Sequence, residues 1–262
     1  MAEMICVAQS KGGSAKSTTA VNLAAAYARD KQRVLILDLD AQSTTSDWLG
    51  FHDAENQSDL LECMLGDMEL QSAIRSTSVE NLDLVPASQH LYQIHNHLAD
   101  EVAADTLLSF ALRDVLASYD KIIVDCPPSL GIAAYNAMYA CKNIILPIET
   151  SFVAMRAVRS MMKVVNLMQE RRDESINILG IIASRADMRQ KSCQQAIDMM
   201  RESFNGTVFD TVITDAVALK DAPAHEKTIF QYQPSSKSAK QFQQLANEIQ
   251  SRLGKGRMKN AA

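Results

Sequence analysis

The chain has 262 residues, 47% of them hydrophobic, and a formal net charge of -5. That apolar content suits a large buried core and excludes a disordered chain, while the acidic balance excludes a globally basic nucleic-acid binder; any such contact needs a local patch. The five cysteines (Cys6, Cys63, Cys126, Cys141, Cys193) are odd in number, widely spread and without a C-x-x-C pair, which speaks for reduced thiols in a cytosolic core and against a zinc or redox motif.

Met1-Ala2-Glu3 leads straight into an apolar run, so no signal peptide is expected, and no run is long enough to span a bilayer. Met4 to Ala8 is the first expected strand. It feeds Ser10-Lys11-Gly12-Gly13-Ser14-Ala15-Lys16-Ser17-Thr18, and a helical pattern opens at Ala20-Val21-Asn22-Leu23. Strand, glycine-bearing loop and helix start form the context of a phosphate-binding loop. Glycines let backbone N–H groups wrap an anion, and the new helix adds unpaired N–H groups and the positive end of its dipole. Lys16 supplies a point charge for terminal phosphates and Ser17 a hydroxyl for Mg²⁺. The standard glycine positions of G-x-x-x-x-G-K-[ST] fall on Ser10 and Ala15. A Gly-Gly pair preceded by Lys11 stands instead. This K-G-G-x-x-K-[ST] pattern resembles the deviant phosphate loop of the ParA/MinD family of partition and positioning ATPases.

Val34 to Leu37 is a continuous apolar run, as expected for a strand covered on both faces, and it ends at Asp38 and Asp40. Ligands of open α/β sheets lie beyond the carboxyl ends of the strands, which brings both carboxylates to the phosphates. The segment resembles the family's D-x-D-P-Q, with Ala41 for the proline. The resemblance implies that Asp40 orients the attacking water and that Asp38 belongs to the same switch near the metal. Ser43 to Asn56 reads as a polar loop and Leu60 to Leu65 as a short helix. Asn81 to Ser88 reads as a strand with its exit, and Leu91 to Ser118 carries a helical pattern. His90, His95 and His97 are spaced poorly for a metal and read as solvated or satisfied.

Lys121 to Asp125 is a strand ending in a carboxylate, followed by Cys126-Pro127-Pro128. Asp125 is the expected second metal group, holding Mg²⁺ through water. The D-x-P-P form is also similar to the family. Asn143 to Glu149 is a strand, and a helix runs from Val153 to about Arg171 with Met161, Met162, Val165, Leu167 and Met168 as core filler or dimer contact. Ile176 to Ile182 is a strand whose exit, Ser184 to Arg189, resembles the family segment beside the adenine base and brings in Arg185. A helix over Lys191 to Phe204 and a strand over Val208 to Ile213 follow. Ala222-Pro223-Ala224 resembles the family's A-P-S loop, which implies Pro223 against the base. The last helix, Ser238 to Leu253, carries Phe242, Leu245, Ile249 and Leu253 on one face, and 254–262 reads as a short basic, mobile tail.

End-to-end strand–helix alternation predicts an α/β fold: a doubly wound, mostly parallel sheet flanked by helices, a single phosphate-loop ATPase domain over 1–253. The resemblance covers Met4 to about Leu253. It implies ATP and Mg²⁺ as ligands, with Lys11, Gly12, Gly13, Ser14, Ala15, Lys16, Ser17, Thr18, Arg185 and Pro223 binding the nucleotide. It implies Lys11, Lys16 and Asp40 in catalysis and Ser17, Asp38 and Asp125 at the metal. It further implies an ATP-dependent homodimer in which Lys11 reaches the partner's phosphates, a ParB-like adaptor that stimulates slow hydrolysis, and non-specific DNA as the matrix, in a cytoplasmic, nucleoid-associated protein. The DNA candidates are Arg189, Lys220, Lys227, Lys237 and Lys240. Asp215 and Ala218 stand where ParA proteins often carry arginines. A MinD-like membrane-associated ATPase is the alternative, although the tail offers only Met258 as a bulky apolar residue. An iron–sulphur reductase on the same loop lacks cluster-ligand cysteines in glycine-rich settings, and a tyrosine kinase lacks a C-terminal tyrosine cluster.

Overall fold

The computed structural model describes residues 2–52, 60–94, 104–151, 154–171, 173 and 175–260, the last six of these by backbone alone. Eight strands form one sheet: β1 (Glu3–Val7), β2 (Val34–Asp38), β3 (Arg75–Ser76), β4 (Leu82–Val85), β5 (Lys121–Asp125), β6 (Asn143–Glu149), β7 (Asn177–Ala186) and β8 (Val208–Thr214), in the order β3-β4-β2-β5-β1-β6-β7-β8. Every neighbouring pair is parallel except β3–β4, so the expected doubly wound sheet is present. The chain leaves β1 for β2 on one side, and β6 joins β1 on the other. That makes β1 a switch point, where a crevice opens at the carboxyl ends.

Burial on both faces explains the unbroken apolar runs. Ile5 and Val7 of β1 pack with Val34, Ile36 and Ile123 on one face, while Cys6 and Ala8 pack with Leu35, Leu37, Ile122 and Val124 on the other. The first face is covered by α1 (Lys16–Arg29), whose alanines let it lie close, and by the terminal helix (Lys237–Asn260), which docks Phe242, Leu245, Ile249 and Leu253. The other face is covered by the helices that lie between residues 60 and 203. In chain order the helices are α1, α2 (Thr44–Trp48), α3 (Leu60–Leu65), α4 (Leu70–Ala73), α5 (Leu107–Ala111), α6 (Ile132–Cys141), α7 (Ala154–Arg171), α8 (Lys191–Ser203), α9 (Val217–Asp221), α10 (Ile229–Tyr232) and the terminal α11. All five cysteines are buried and unbridged, and burial pushes the Cys6 thiol well above its usual range.

Several local expectations need correction. Residues 44–48, read as loop, form α2, because Thr45, Ser46 and Trp48 each find a buried partner. Of the Leu91 to Ser118 pattern, 95–103 lie outside the described residues; Ile94 is helical after a 3₁₀ turn at Gln89–Gln93, α5 covers Leu107–Ala111, and turns follow to Ser118, with Leu108 and Leu112 buried and Phe110 exposed under the Arg113 guanidinium. His90 is exposed, and His95 and His97 lie outside the described residues. The terminal helix continues in backbone past Leu253 to Asn260. In α7, Met161 and Val165 are core, whereas Leu167 is exposed.

Candidate functional site

The loop after β1 turns back on itself through left-handed backbone at Gly13 (φ 75°) and Ala15 (φ 67°). A β-carbon at Gly13 would meet strain rather than crowding, since its nearest neighbour would be Arg185 Nη1 at 3.9 Å. Ala15 occupies a conformation that costs an L-residue about 1–2 kcal/mol, held because Thr19 N and Thr19 Oγ1 both donate to its carbonyl, at 2.9 and 2.7 Å. Helix α1 starts at once with Lys16, which is buried, so its ammonium and the first N–H groups face one spot.

Asp38 and Asp125 end adjacent strands in direct register and are both fully buried. Asp38 accepts from Ser46 N (2.9 Å), Ser46 Oγ (2.8 Å) and Asp40 N (3.1 Å). Asp125 Oδ2 accepts from Thr45 Oγ1 at 2.8 Å. Burial, then the neighbouring Asp125 carboxylate, pushes the Asp38 carboxyl far above the carboxylate range, against the pull of the Ser46 bonds. Burial also raises Asp125, while the Ser17 and Thr45 hydroxyls and the Lys16 ammonium hold it down. Among the described residues Asp125 Oδ1 has no hydrogen-bond partner although it is buried. Two crowded carboxylates, one with an orphan oxygen, beside a hydroxyl and a phosphate loop are the donor set of a hard divalent cation.

A cleft of about 570 Å³ opens over the loop, and the fully buried Asp38 and Asp125 do not line it. Residues 12–18 of the loop, Asp40, Arg185 and Pro223 line it together, as does Lys220, so most of the nucleotide candidates converge. Lys11 is not among the residues that line it; its ammonium lies 3.1 Å from Glu149 Oε2. Trp48, on the far wall, donates from Nε1 to the Lys227 carbonyl at 2.8 Å, and Asn22 Oδ1 accepts from Ile229 N at 2.8 Å, tying the 222–228 loop to α2 and α1. Thr45, Ser46, Trp48, Asn22 and Glu149 were not singled out by motif reading. Only the polar run after Asp40 hinted at the first two.

The DNA candidates divide. Arg189 forms a two-pronged pair with Asp187 (2.8 and 2.9 Å), which holds that carboxyl well below its usual range. Lys220 pairs with Asp215 at 2.8 Å and lies on the nucleotide cleft rather than on an outer face. Lys227, Lys237 and Lys240 are exposed. No group of three or more His, Cys, Asp or Glu among the described residues could alone hold a metal. Any cation there needs Ser17 and the ligand's own oxygens as well. No helix among the described residues is long and apolar enough to cross a membrane.

The AAA-domain family model matches residues 2–178. The sporulation initiation inhibitor protein Soj of Bacillus subtilis is 33% identical over 249 residues, covering 95% of this chain and 98% of that one. Among solved structures, cobyrinic acid a,c-diamide synthase of Mycobacterium smegmatis with bound ADP and magnesium superposes with a TM-score of 0.86 at 25% identity, covering 98% and 97% of the two chains. The septum site-determining protein MinD of Pyrococcus horikoshii, complexed with Mg-ADP, gives 0.76 at 26% identity, covering 95% and 96%. With the loop, the strand-end carboxylates and the sheet order all in place, the chain belongs to the ParA/Soj/MinD family of phosphate-loop ATPases.

Proposed function

We propose that the protein is a partition or positioning ATPase whose ATP-bound form is a homodimer, bound to DNA without sequence preference and released when a partner protein stimulates hydrolysis. The observation that carries this reading is the convergence of the buried Lys16, the Gly13–Ala15 turn and Asp40 on one cleft, with the fully buried Asp125 beside Lys16 and Ser17. Solved relatives hold ADP and magnesium, and Soj-like relatives match over nearly their full length.

Loop N–H groups and Lys16 bind the phosphates, and Pro223 and Arg185 border the base side. Ser17, with Asp125 and Asp38 behind it, would hold Mg²⁺, which when bound neutralises phosphate charge. Asp40, half-buried and two residues past the end of β2, orients the attacking water. Lys11, half exposed and outside the lining of the cleft in its own subunit, serves the partner subunit's phosphates, so nucleotide favours only the paired state. Arg189, Lys227, Lys237 and Lys240 supply the phosphate contacts to DNA, and the protein then accumulates on the nucleoid.

Nucleotide binding and light scattering with ATP test this. Lys16→Ala loses nucleotide affinity by about 100-fold or more, the scale of a lost charge-assisted phosphate contact. Lys11→Ala keeps monomer binding but stays monomeric, and Asp40→Ala accumulates as an ATP dimer. A Lys11→Ala protein that dimerises normally with ATP overturns the reading of Lys11.

A further inference from the structure

We infer that Glu149 is a built-in counterion that holds Lys11 and Arg185 in the unpaired subunit and thereby sets the concentration at which ATP dimers form. The inference rests on the reading of Lys11 proposed above. Glu149 ends β6, which runs beside β1, so the carboxyl end of β6 and the loop that follows β1 share one edge of the crevice. Each of its oxygens takes one cation: Oε2 lies 3.1 Å from Lys11 Nζ, and Oε1 lies 3.3 Å from Arg185 Nη1. Arg185 Nη1 also donates to the Gly13 carbonyl at 3.1 Å, which closes the bridge onto the phosphate loop itself. Arg185 holds left-handed backbone (φ 51°) at the end of β7 and so aims its side chain across the cleft mouth.

A lone carboxylate thus stands where two cations face a cleft built for polyphosphate. On this reading Lys11 gives up Glu149 to reach a phosphate of the neighbouring subunit. Release of the cis pair is therefore part of every association step. The side chains are 46% and 33% exposed, so the pair is a weak one that screens with salt. A weak pair suits this role, because the apparent dissociation constant scales inversely with the fraction of subunits whose Lys11 is free. A twofold-symmetric dimer needs both lysines, so the fraction enters squared. A threefold hold on each lysine becomes about tenfold in the dimer constant, or about 1.4 kcal/mol.

Glu149→Gln keeps the shape and removes the charge. With a non-hydrolysable ATP analogue and Mg²⁺, sedimentation at stepped protein concentrations should give a dimer constant about tenfold tighter than wild type at low salt. The gap should shrink to about twofold near 1 M salt. Glu149→Asp, too short to reach both cations, should fall between. Independently of any dimer, Lys11 in nucleotide-free protein should react about threefold faster with an amine-acylating reagent in Glu149→Gln, read by mass spectrometry of the 11-containing peptide. Wild type that dimerises with the analogue while Glu149→Gln dimerises no tighter, or Lys11 acylation that does not change, overturns the counterion role alone. Wild type that never dimerises with nucleotide, whatever its acylation rate, overturns the reading of Lys11 and the inference with it.

Discussion

The two ends of the sheet bury charge in opposite ways. At the amino end Lys121 is 2% exposed, yet it pairs with Glu3 and Gln250 and lies 4.7 Å over the Tyr27 ring. It ties the start of β5 to β1, α1 and α11. At the carboxyl end Asp38 and Asp125 are equally buried and lie side by side, which pushes the Asp38 carboxyl up to about 8, and among the described residues Asp125 Oδ1 has no hydrogen-bond partner. One end pairs its buried charge within the chain, and the other crowds two buried carboxyls together. Strain and repulsion collected at strand ends mark the working end of the fold.

The sharpest way to break that contrast lies at the amino end. Glu3→Ala removes the carboxylate from a buried ammonium and should destabilise the fold by about 3 kcal/mol, because the neutral Gln250 and Tyr27 partners that remain do not replace its opposite charge. Lys121→Met, which removes the charge and fills the same space, should be far milder. Denaturant midpoints of the two variants against wild type decide it. Equal losses would mean that Lys121 contributes packing rather than charge.

The carboxyl end should behave in the reverse sense. The folded Asp38 carboxyl is raised to about 8 by burial and by Asp125, with Lys16 and Asp40 also nearby. The unfolded value is about 4. Between these values the folded chain binds more protons than the unfolded one, so stability falls as pH rises through that window. Asp38→Asn removes the repulsion. It should match wild type near pH 5 and exceed it near pH 8 by something on the order of 2 kcal/mol, read by thermal melting without nucleotide. A variant that loses stability at pH 8 would show that the Ser46 bonds to the carboxylate outweigh its crowding.

The two ends were also unequally legible. Val34 to Leu37 and Lys121 to Val124 announced the sheet because burial on both faces demands unbroken apolar runs. The phosphate loop and Asp38, Asp40 and Asp125 were legible because phosphate and metal chemistry constrains residue type at fixed offsets. Thr45 and Ser46 were not. Five residues of Thr-Thr-Ser-Asp-Trp have poor helical propensity, and they turn helical only because Asp125, Asp38 and the Lys227 carbonyl wait for their side chains. Glu149 ended an expected strand, and nothing local told that its cations come from 138 residues upstream and from β7. Lys121 likewise read as a strand's first residue, since a long-range partner leaves no periodic trace.

The smallest effect on folding, and the clearest on DNA, belongs to Arg189 at the outer rim of the carboxyl end. Its side chain is 90% exposed and paired only with Asp187, two residues earlier. A pair so exposed contributes little to folding, so Arg189→Ala should leave the melting temperature within about 1 °C of wild type. DNA binding is different in kind. In the proposed DNA-bound state a phosphate would replace Asp187 at the guanidinium and counterions would leave, so the gain would show in the salt dependence rather than in sequence preference. Arg189→Ala should therefore weaken binding of the ATP form evenly across unrelated duplexes and lower the slope of log affinity against log salt by about 1 for each arginine engaged. Gel shifts at two salt concentrations measure both quantities. An unchanged slope would remove Arg189 from the DNA face and leave its pair with Asp187 as a local brace of the turn after β7.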